Sequence, residues 1–355
     1  MNQGSDTHGP WGILRPVLRW ETGLCLLIVL VTIGSTLASS DFLTSFNLVT
    51  MALSATVLGF LALGVAPVIM AGDIDISIAS TLALCGVVLA EFWQHGMNIW
   101  AASLIAVGLG VILGLINGLL TVLLELPSLA ITLGTLGAYS GIAFLILQGQ
   151  AITGFPDGLV TLGQGELFGS QFPISTGAVL VAALIMTIVI HGTTFGKAVF
   201  AIGGSRQAAL YSGIAVTRTR ILLFAISGGV SGLASIFYLG NFDTARADMA
   251  SDQVLPAVTV AILGGVSAYG GKGTIPGVVL ALVLLSVLEA GLGVLGLSGQ
   301  EQTISIGLLL IVAIGSGNII NSAPRWVRRL PRQRGNRPLE RKEEPLVTVA
   351  APREH

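Results

Sequence analysis

Charge is what this sequence has least of. Only 10% of its 355 residues are Asp, Glu, Lys or Arg, against roughly 25% in an ordinary soluble domain. A water-facing surface needs more, which excludes an ordinary soluble fold. Cysteine is nearly absent: Cys25 and Cys85 both lie in apolar runs, which excludes a disulfide scaffold or a Cys-based metal centre. The four histidines, His8, His95, His191 and His355, fall in tails, a loop or a span end. The serine of Gly229-Val230-Ser231-Gly232 therefore lacks a histidine base at matching depth, which argues against an intramembrane serine protease. An aspartyl protease needs two acids on different helices, whereas Asp73 and Asp75 share one turn. No GxxxxGK[ST] loop is present: Gly196-Lys197 is followed by Ala198, and His191 stands where the first glycine belongs. The expectation is a protein that makes and breaks no bonds and needs no cofactor or metal. A net charge of -1 gives no reason to expect nucleic acid.

What is there is apolar. Hydrophobic residues make up 53% of the chain, and the mean hydropathy is +0.87. A spanning helix needs about 20 mostly apolar residues. Such segments lie near 22–40, 48–70, 76–92, 99–123, 129–149, 174–191, 221–240, 254–269, 275–296 and 302–320. The fold class expected is an all-α integral membrane protein of about ten transmembrane helices. The first segment reads as a span rather than a cleaved signal peptide, because its apolar run is long and starts late.

Short loops rich in Lys and Arg stay on the cytoplasmic side. Arg15 and Arg19 place the N-terminus inside. Ten spans then put Lys197, Arg206, Arg218 and Arg220 of the 192–220 loop inside, together with Lys272 and the Arg-rich tail from Arg325. The opposite loops 41–47, 93–98, 150–173 and 297–301 carry no Lys or Arg. Only 241–253 departs, with Arg246 beside Asp243, Asp248 and Asp252. Both termini are thus expected in the cytoplasm. The expected organisation is an N-terminal tail over 1–20, a membrane domain over 21–322, and a basic, disordered tail over 323–355. Arg325, Arg328 and Arg329 of that tail are placed to meet lipid headgroups or to act as a stop signal.

The 47 glycines include sets on one side of a helix, three or four residues apart, that let helix backbones approach: Gly110, Gly114 and Gly118; Gly134, Gly137 and Gly141; Gly228 and Gly232. Polar groups at membrane depth are costly and mark candidate sites. In Ala71-Gly72-Asp73-Ile74-Asp75-Ile76-Ser77, Gly72 breaks the helix, and Asp73, Asp75 and Ser77 either cap the next helix at a tight turn or line a pathway. Asn117, Thr132, Thr135 and Gln148 either bond between helices or line a route for a hydroxylated solute. Glu289 is the one carboxylate deep in a late span. In the 192–220 loop, Gly203-Gly204 reads as a flexible lead-in and Ser205 as an N-cap. A short helix follows over Arg206, Gln207, Ala208, Ala209 and onward, closed by Gly213. It is too short to stand alone and needs something to pack on.

This loop, FGKAVFAIGGSRQAALYSGI, resembles the cytoplasmic coupling segment of permease subunits in bacterial ABC importers for ribose and related sugars. AGDIDISIAS, LPSLAITLGTLGAYSG and LPAVTVAILGGVSAYGGKGTIPG resemble further motifs of that family, in the same order, across roughly residues 20–320. The region from Arg246 to LPAV looks closer to the autoinducer-2 permeases, above all their D-type subunit, and to rhamnose permeases. The resemblance implies an inner-membrane subunit that pairs with an identical or paralogous permease. It implies ABC ATPase subunits docked at Gly203, Gly204, Ser205, Arg206, Ala208, Ala209 and Gly213, and a substrate-binding protein at Asp243, Arg246 and Asp248. A hydroxylated solute would pass Ser77, Asn117, Thr132 and Thr135, while Gly72, Asp73 and Asp75 order the helix break. An ion-coupled secondary transporter is the alternative.

Overall fold

The computed structural model describes residues 20–308 and residue 311. The N-terminal and C-terminal tails and most of the tenth expected span lie outside the described residues. Twelve helices run in order among the described residues: α1 (Trp20–Ala38), α2 (Ser45–Met70), α3 (Ile78–Gln94), α4 (Ile99–Leu123), α5 (Ser128–Leu147), α6 (Asp157–Gln164), α7 (Ile174–Gly192), α8 (Thr194–Gly204), α9 (Arg206–Tyr211), α10 (Val216–Phe242), α11 (Val254–Leu263) and α12 (Ile275–Val294). A further helical stretch covers 299–308. Of these, α1, α2, α4, α5, α7, α10 and α12 are long and apolar enough to cross a membrane.

The helix ends follow from local chemistry. Thr44, Asn98 and Thr274 accept from the backbone N–H groups of Asn47, Trp100 and Gly277 at 3.4, 2.9 and 3.1 Å, which opens α2, α4 and α12. Pro127, Pro156 and Pro173 precede α5, α6 and α7, where the missing N–H costs nothing.

The centre of the bundle is α2. Every residue from Thr56 to Met70 is buried, as expected of a helix apolar on all sides. Around it pack α10, α12, α11 and α7. α1 rests on α12 and turns most of its surface outward; among its residues only Leu24 is buried.

The eighth expected span is shorter as a helix than the sequence suggested, whereas the third keeps its length of 17 residues and is only shifted along the chain, to 78–94. The non-helical stretch 73–77 leads into α3. α11 stops at Leu263, because Gly265 takes a left-handed φ of +90° and Val266 N–H returns to the Ala261 carbonyl at 3.1 Å, a glycine C-terminal turn; Gly264 beside it lies against Gly277 and Val278, too close for a side chain.

The glycine stripes fare differently. Gly110 and Gly114 of α4 meet the backbone of α10 at Gly228, Gly232, Phe224 and Ala225, where a Cβ would overlap carbonyl oxygens. A Cβ on Gly134, Gly137 or Gly141 of α5 would meet nothing within 4 Å among the described residues. The 150–173 segment is more structured than a plain loop. Ile152–Thr153 (β1) pairs antiparallel with Thr244–Ala245 (β2), and α6 sets Gly163 against the backbone of Gly240.

Candidate functional site

The α2–α3 break is held by charge, by α5 and by three converging backbones. Asp73 is 3% exposed and sits between two guanidinium groups. Arg220, in the first turns of α10, donates Nε to Oδ2 at 2.7 Å and an Nη to Oδ1 at 2.9 Å. Arg206, at the start of α9, donates to Oδ1 at 2.8 Å and to the Gly72 carbonyl at 3.1 Å. The two-point Arg220 contact fixes geometry as well as charge. Arg220 is buried, whereas the Arg206 side chain stays 47% exposed. The short helix α9 is therefore tied by a side chain to the core of the membrane domain.

Glycines bring the backbones together at the same place. The Gly271 N–H donates to the Met70 carbonyl at 2.8 Å. Gly270, with φ +83°, lies against the Cα atoms of Gly72 and Gly203, and Gly271 lies against Gly204. A Cβ on Gly203 would overlap the Met70 carbonyl. Gly203 and Gly204 thus form the last turn of α8 rather than a flexible lead-in. The reason is close approach, which only glycine allows.

The non-helical residues 73–77 need partners for their backbone groups. Ile74 N–H donates to Ser128 Oγ at 3.0 Å, and Thr132 Oγ1 donates to the Ile74 carbonyl at 3.2 Å. Both partners come from the start of α5. Asp75 accepts from the N–H and hydroxyl of Ser77 at 3.0 and 2.7 Å, and from Ser227 of α10 at 2.8 Å. Ser77 Oγ accepts from the Asn117 amide at 2.8 Å, and Asn117 Oδ1 accepts from Tyr139 at 3.2 Å. Capping of α3 falls to Asp75, since Ser77 makes no side-chain cap bond. Three of the residues read as a solute path, Ser77, Asn117 and Thr132, lie fully buried in this network. Thr135 lies one turn farther along α5, half-buried, its hydroxyl on the Ile131 and Thr132 carbonyls.

In α9, Ser205 Oγ accepts from Ala208 N–H at 3.3 Å. Gly213, with φ +78°, closes the helix as Ile214 N–H reaches the Ala209 carbonyl at 3.1 Å. Ala209 is buried, while Leu210 and Tyr211 are 61% and 81% exposed. Sequence reading passed over those two, although large apolar groups on a polar loop are the signal that would have marked them.

The far end of α10, a 27-residue helix about 40 Å long, carries the other expected contact residues. Asp243 caps α10 and accepts from Phe155 N–H at 2.8 Å. Arg246 and Asp248 form an exposed two-point pair at 2.8 Å. Its hydrogen bonds hold the Asp248 carboxyl below its ordinary range and raise the guanidinium of Arg246 further.

Residues 47–314 match the family described as the permease component of the branched-chain amino acid transport system. This chain belongs to that permease family. The permease is 34% identical over 325 residues to the autoinducer 2 import system permease protein LsrD of Photorhabdus luminescens, covering 89% of this chain and 97% of the relative. It is 34% identical over 328 residues to the LsrD protein of Escherichia coli O157:H7, covering 90% and 98%. The LsrD protein of Shigella flexneri is 33% identical over 328 residues. No solved structure matches. The permease is accordingly a multi-pass membrane protein and a transport subunit of an importer.

Proposed function

We propose that this permease carries autoinducer 2, or a sugar such as rhamnose or ribose, across the bacterial inner membrane. It does so as one of two membrane subunits, identical or paralogous, driven by separate ABC ATPases. About ten spans place both termini in the cytoplasm, with 21–322 as the membrane domain. Residues 1–20 and the basic 323–355 segment are cytoplasmic tails. A binding protein hands the solute over at the Arg246 end. The ion-coupled alternative finds no support in the aspartates, because Asp73 is held by two arginines and Asp75 by two serines.

The observation that carries this reading is the bond from Arg206 on α9 to Asp73 in the α2–α3 break. α8 and α9 form the ATPase contact, with Gly203, Gly204, Ser205, Ala208, Ala209 and Gly213 shaping it. Exposed Leu210 and Tyr211 are the side chains that enter the ATPase. When the ATPases close, they push α9, and Arg206 passes the push to the end of α2 and the start of α10. Packed helices respond by moving as rigid bodies, which switches access from one side to the other. Ser77, Asn117 and Thr132 keep the break rigid behind the path, and Thr135 lies beside it on the face of α5.

The test uses the assembled importer in proteoliposomes. Tyr211→Arg is expected to insert normally and to lose ATPase co-purification and uptake. Arg206→Glu is expected to keep the ATPase bound and to lose uptake. Full uptake by both variants would remove the coupling role. Ala209→Arg is a poorer probe, because Ala209 is buried and the change would disturb α9 itself.

A further inference from the structure

Glu289 takes no part in the network around the break. It lies on α12, about five residues from the helix end, and enters none of the ion pairs among the described residues. An ionisable group inside a span is a functional candidate by default, and this one opens into a cavity. Asn47, Thr50, Ser54, Ser286, Glu289 and Gln302 line about 350 Å3 between the first half of α2 and the last turns of α12. That volume is at the small end of the roughly 300–1,000 Å3 typical of small-molecule sites, a size suited to a sugar.

The lining has a definite polarity. Asn47 donates an amide N–H to the Phe42 carbonyl at 2.8 Å, and Gln302 donates one to Leu297 at 3.0 Å. An amide reaches a carbonyl only through its nitrogen, which leaves each of the two one N–H and the amide oxygen for a ligand. Thr50 and Ser286 spend their O–H protons on Phe46 and Leu282, each at 2.9 Å, so their oxygens remain only as acceptors. The Glu289 carboxylate adds two more acceptor atoms. A cavity so rich in acceptors attracts a solute that offers several O–H donors, and it repels an anion.

The cavity continues along α2. Met51 and Ser286 also line a second space of about 200 Å3, whose other walls include Ala55, Val179 and Leu282. That space is almost wholly apolar. The seam shuts at Gly59, where a Cβ would stand 2.8 Å from Leu282 and 2.9 Å from Val179. One helix therefore carries the polar mouth, the closure and, at its far end, the Asp73 clamp.

We infer that the cavity between α2 and α12 is the first contact site for the transported solute, and that it selects neutral, polyhydroxylated molecules over anions. The inference rests on the importer reading above and adds to it the place where the solute is first met and the residues that meet it. Once past the acceptors, the solute meets largely apolar walls with Thr56 and Thr176 among them, so it is held weakly enough to move on.

The experiment uses the assembled importer with ribose, rhamnose and autoinducer 2 as neutral probes, ribose 5-phosphate as the anion and ethylammonium as a cation. Glu289→Gln is close to isosteric and is expected to raise KM for the transported probe about tenfold, in line with the loss of a charged hydrogen bond. Membrane insertion and co-purification of the ATPase should be retained. Ser54→Cys, in a Cys25→Ser background, should react with a thiol reagent added outside, and the transported probe should slow that reaction severalfold. Ribose 5-phosphate should not. Four outcomes would overturn the inference: KM unchanged in Glu289→Gln, labelling indifferent to every neutral probe, protection by ethylammonium instead, or uptake of the anion alone. Arg206→Glu keeps the two readings apart. If it still transports, the coupling reading falls, while protection at Ser54→Cys reports on the cavity independently.

Discussion

Asp73 is the residue on which the α2–α3 break of this permease turns. One carboxylate faces two guanidinium groups, and only the pair with Arg220 is buried. Removing one partner of a buried pair costs about 3–5 kcal/mol, because the other charge stays behind uncompensated. Asp73→Asn and Arg220→Ala are therefore expected to lower thermal stability in detergent by several degrees or to prevent folding. Arg206→Ala removes the exposed partner and should cost less than about 1 kcal/mol while still reducing uptake. Thermal unfolding of the three variants alongside uptake checks that split. At the other end, Asp248 titrates below its ordinary range because Arg246 bonds to it. A lowered carboxylate contributes above its unfolded value, about pH 4, and loses that contribution as pH falls through the lowered value. Docking of the binding protein should thus be level from pH 8 to pH 5 and weaken only in stronger acid. Asp73, Asp75 and Arg206 were all legible as candidates in the sequence. Arg220 was not singled out, since its partner lies 147 positions away and nothing local reveals the pairing.

At the scale of the helices, two glycine stripes look alike in sequence and behave differently in the fold. Gly228 of α10 rests on the Gly110 carbonyl, so Gly228→Val is expected to abolish folded protein, seen as loss of the monodisperse peak on size exclusion. Gly137→Ala meets open space and removes a helix-weakening glycine, worth roughly 0.5–1 kcal/mol. It should fold at least as well as the parent, judged by the same profile. The three- or four-residue spacing signals close packing, but it does not say which partner supplies the other backbone. Hydropathy located α4 at 99–123 to the residue, because apolar runs bounded by Asn98 and a charged turn are unambiguous. It overlooked β1 and α6, whose sequences are polar, short and full of glycine, and whose structure depends on β2 and Gly240 beyond them.

For the whole molecule, the basic residues propose a direction and the bundle gives that direction mechanical meaning. Tyr211→Cys in a Cys25→Ser background should react with an impermeant thiol reagent only from the cytoplasmic side, and Arg246→Cys only from outside. Reaction from the same side would mean an even number of crossings between α9 and β2. What the sequence determined by itself was membrane residence, the positions of the apolar helices and the family motifs. These depend on composition and on residues close together in the chain, where the hydrophobic effect and backbone chemistry act directly. Tertiary structure alone decided that Ser77, Asn117 and Thr132 bond to one another and to the break, and that the Gly203 turn is locked against Met70 and Gly271. It alone brought α2 and α12 together around Glu289. Those facts depend on which distant backbones come within a few ångströms, and no local pattern of residues encodes that distance.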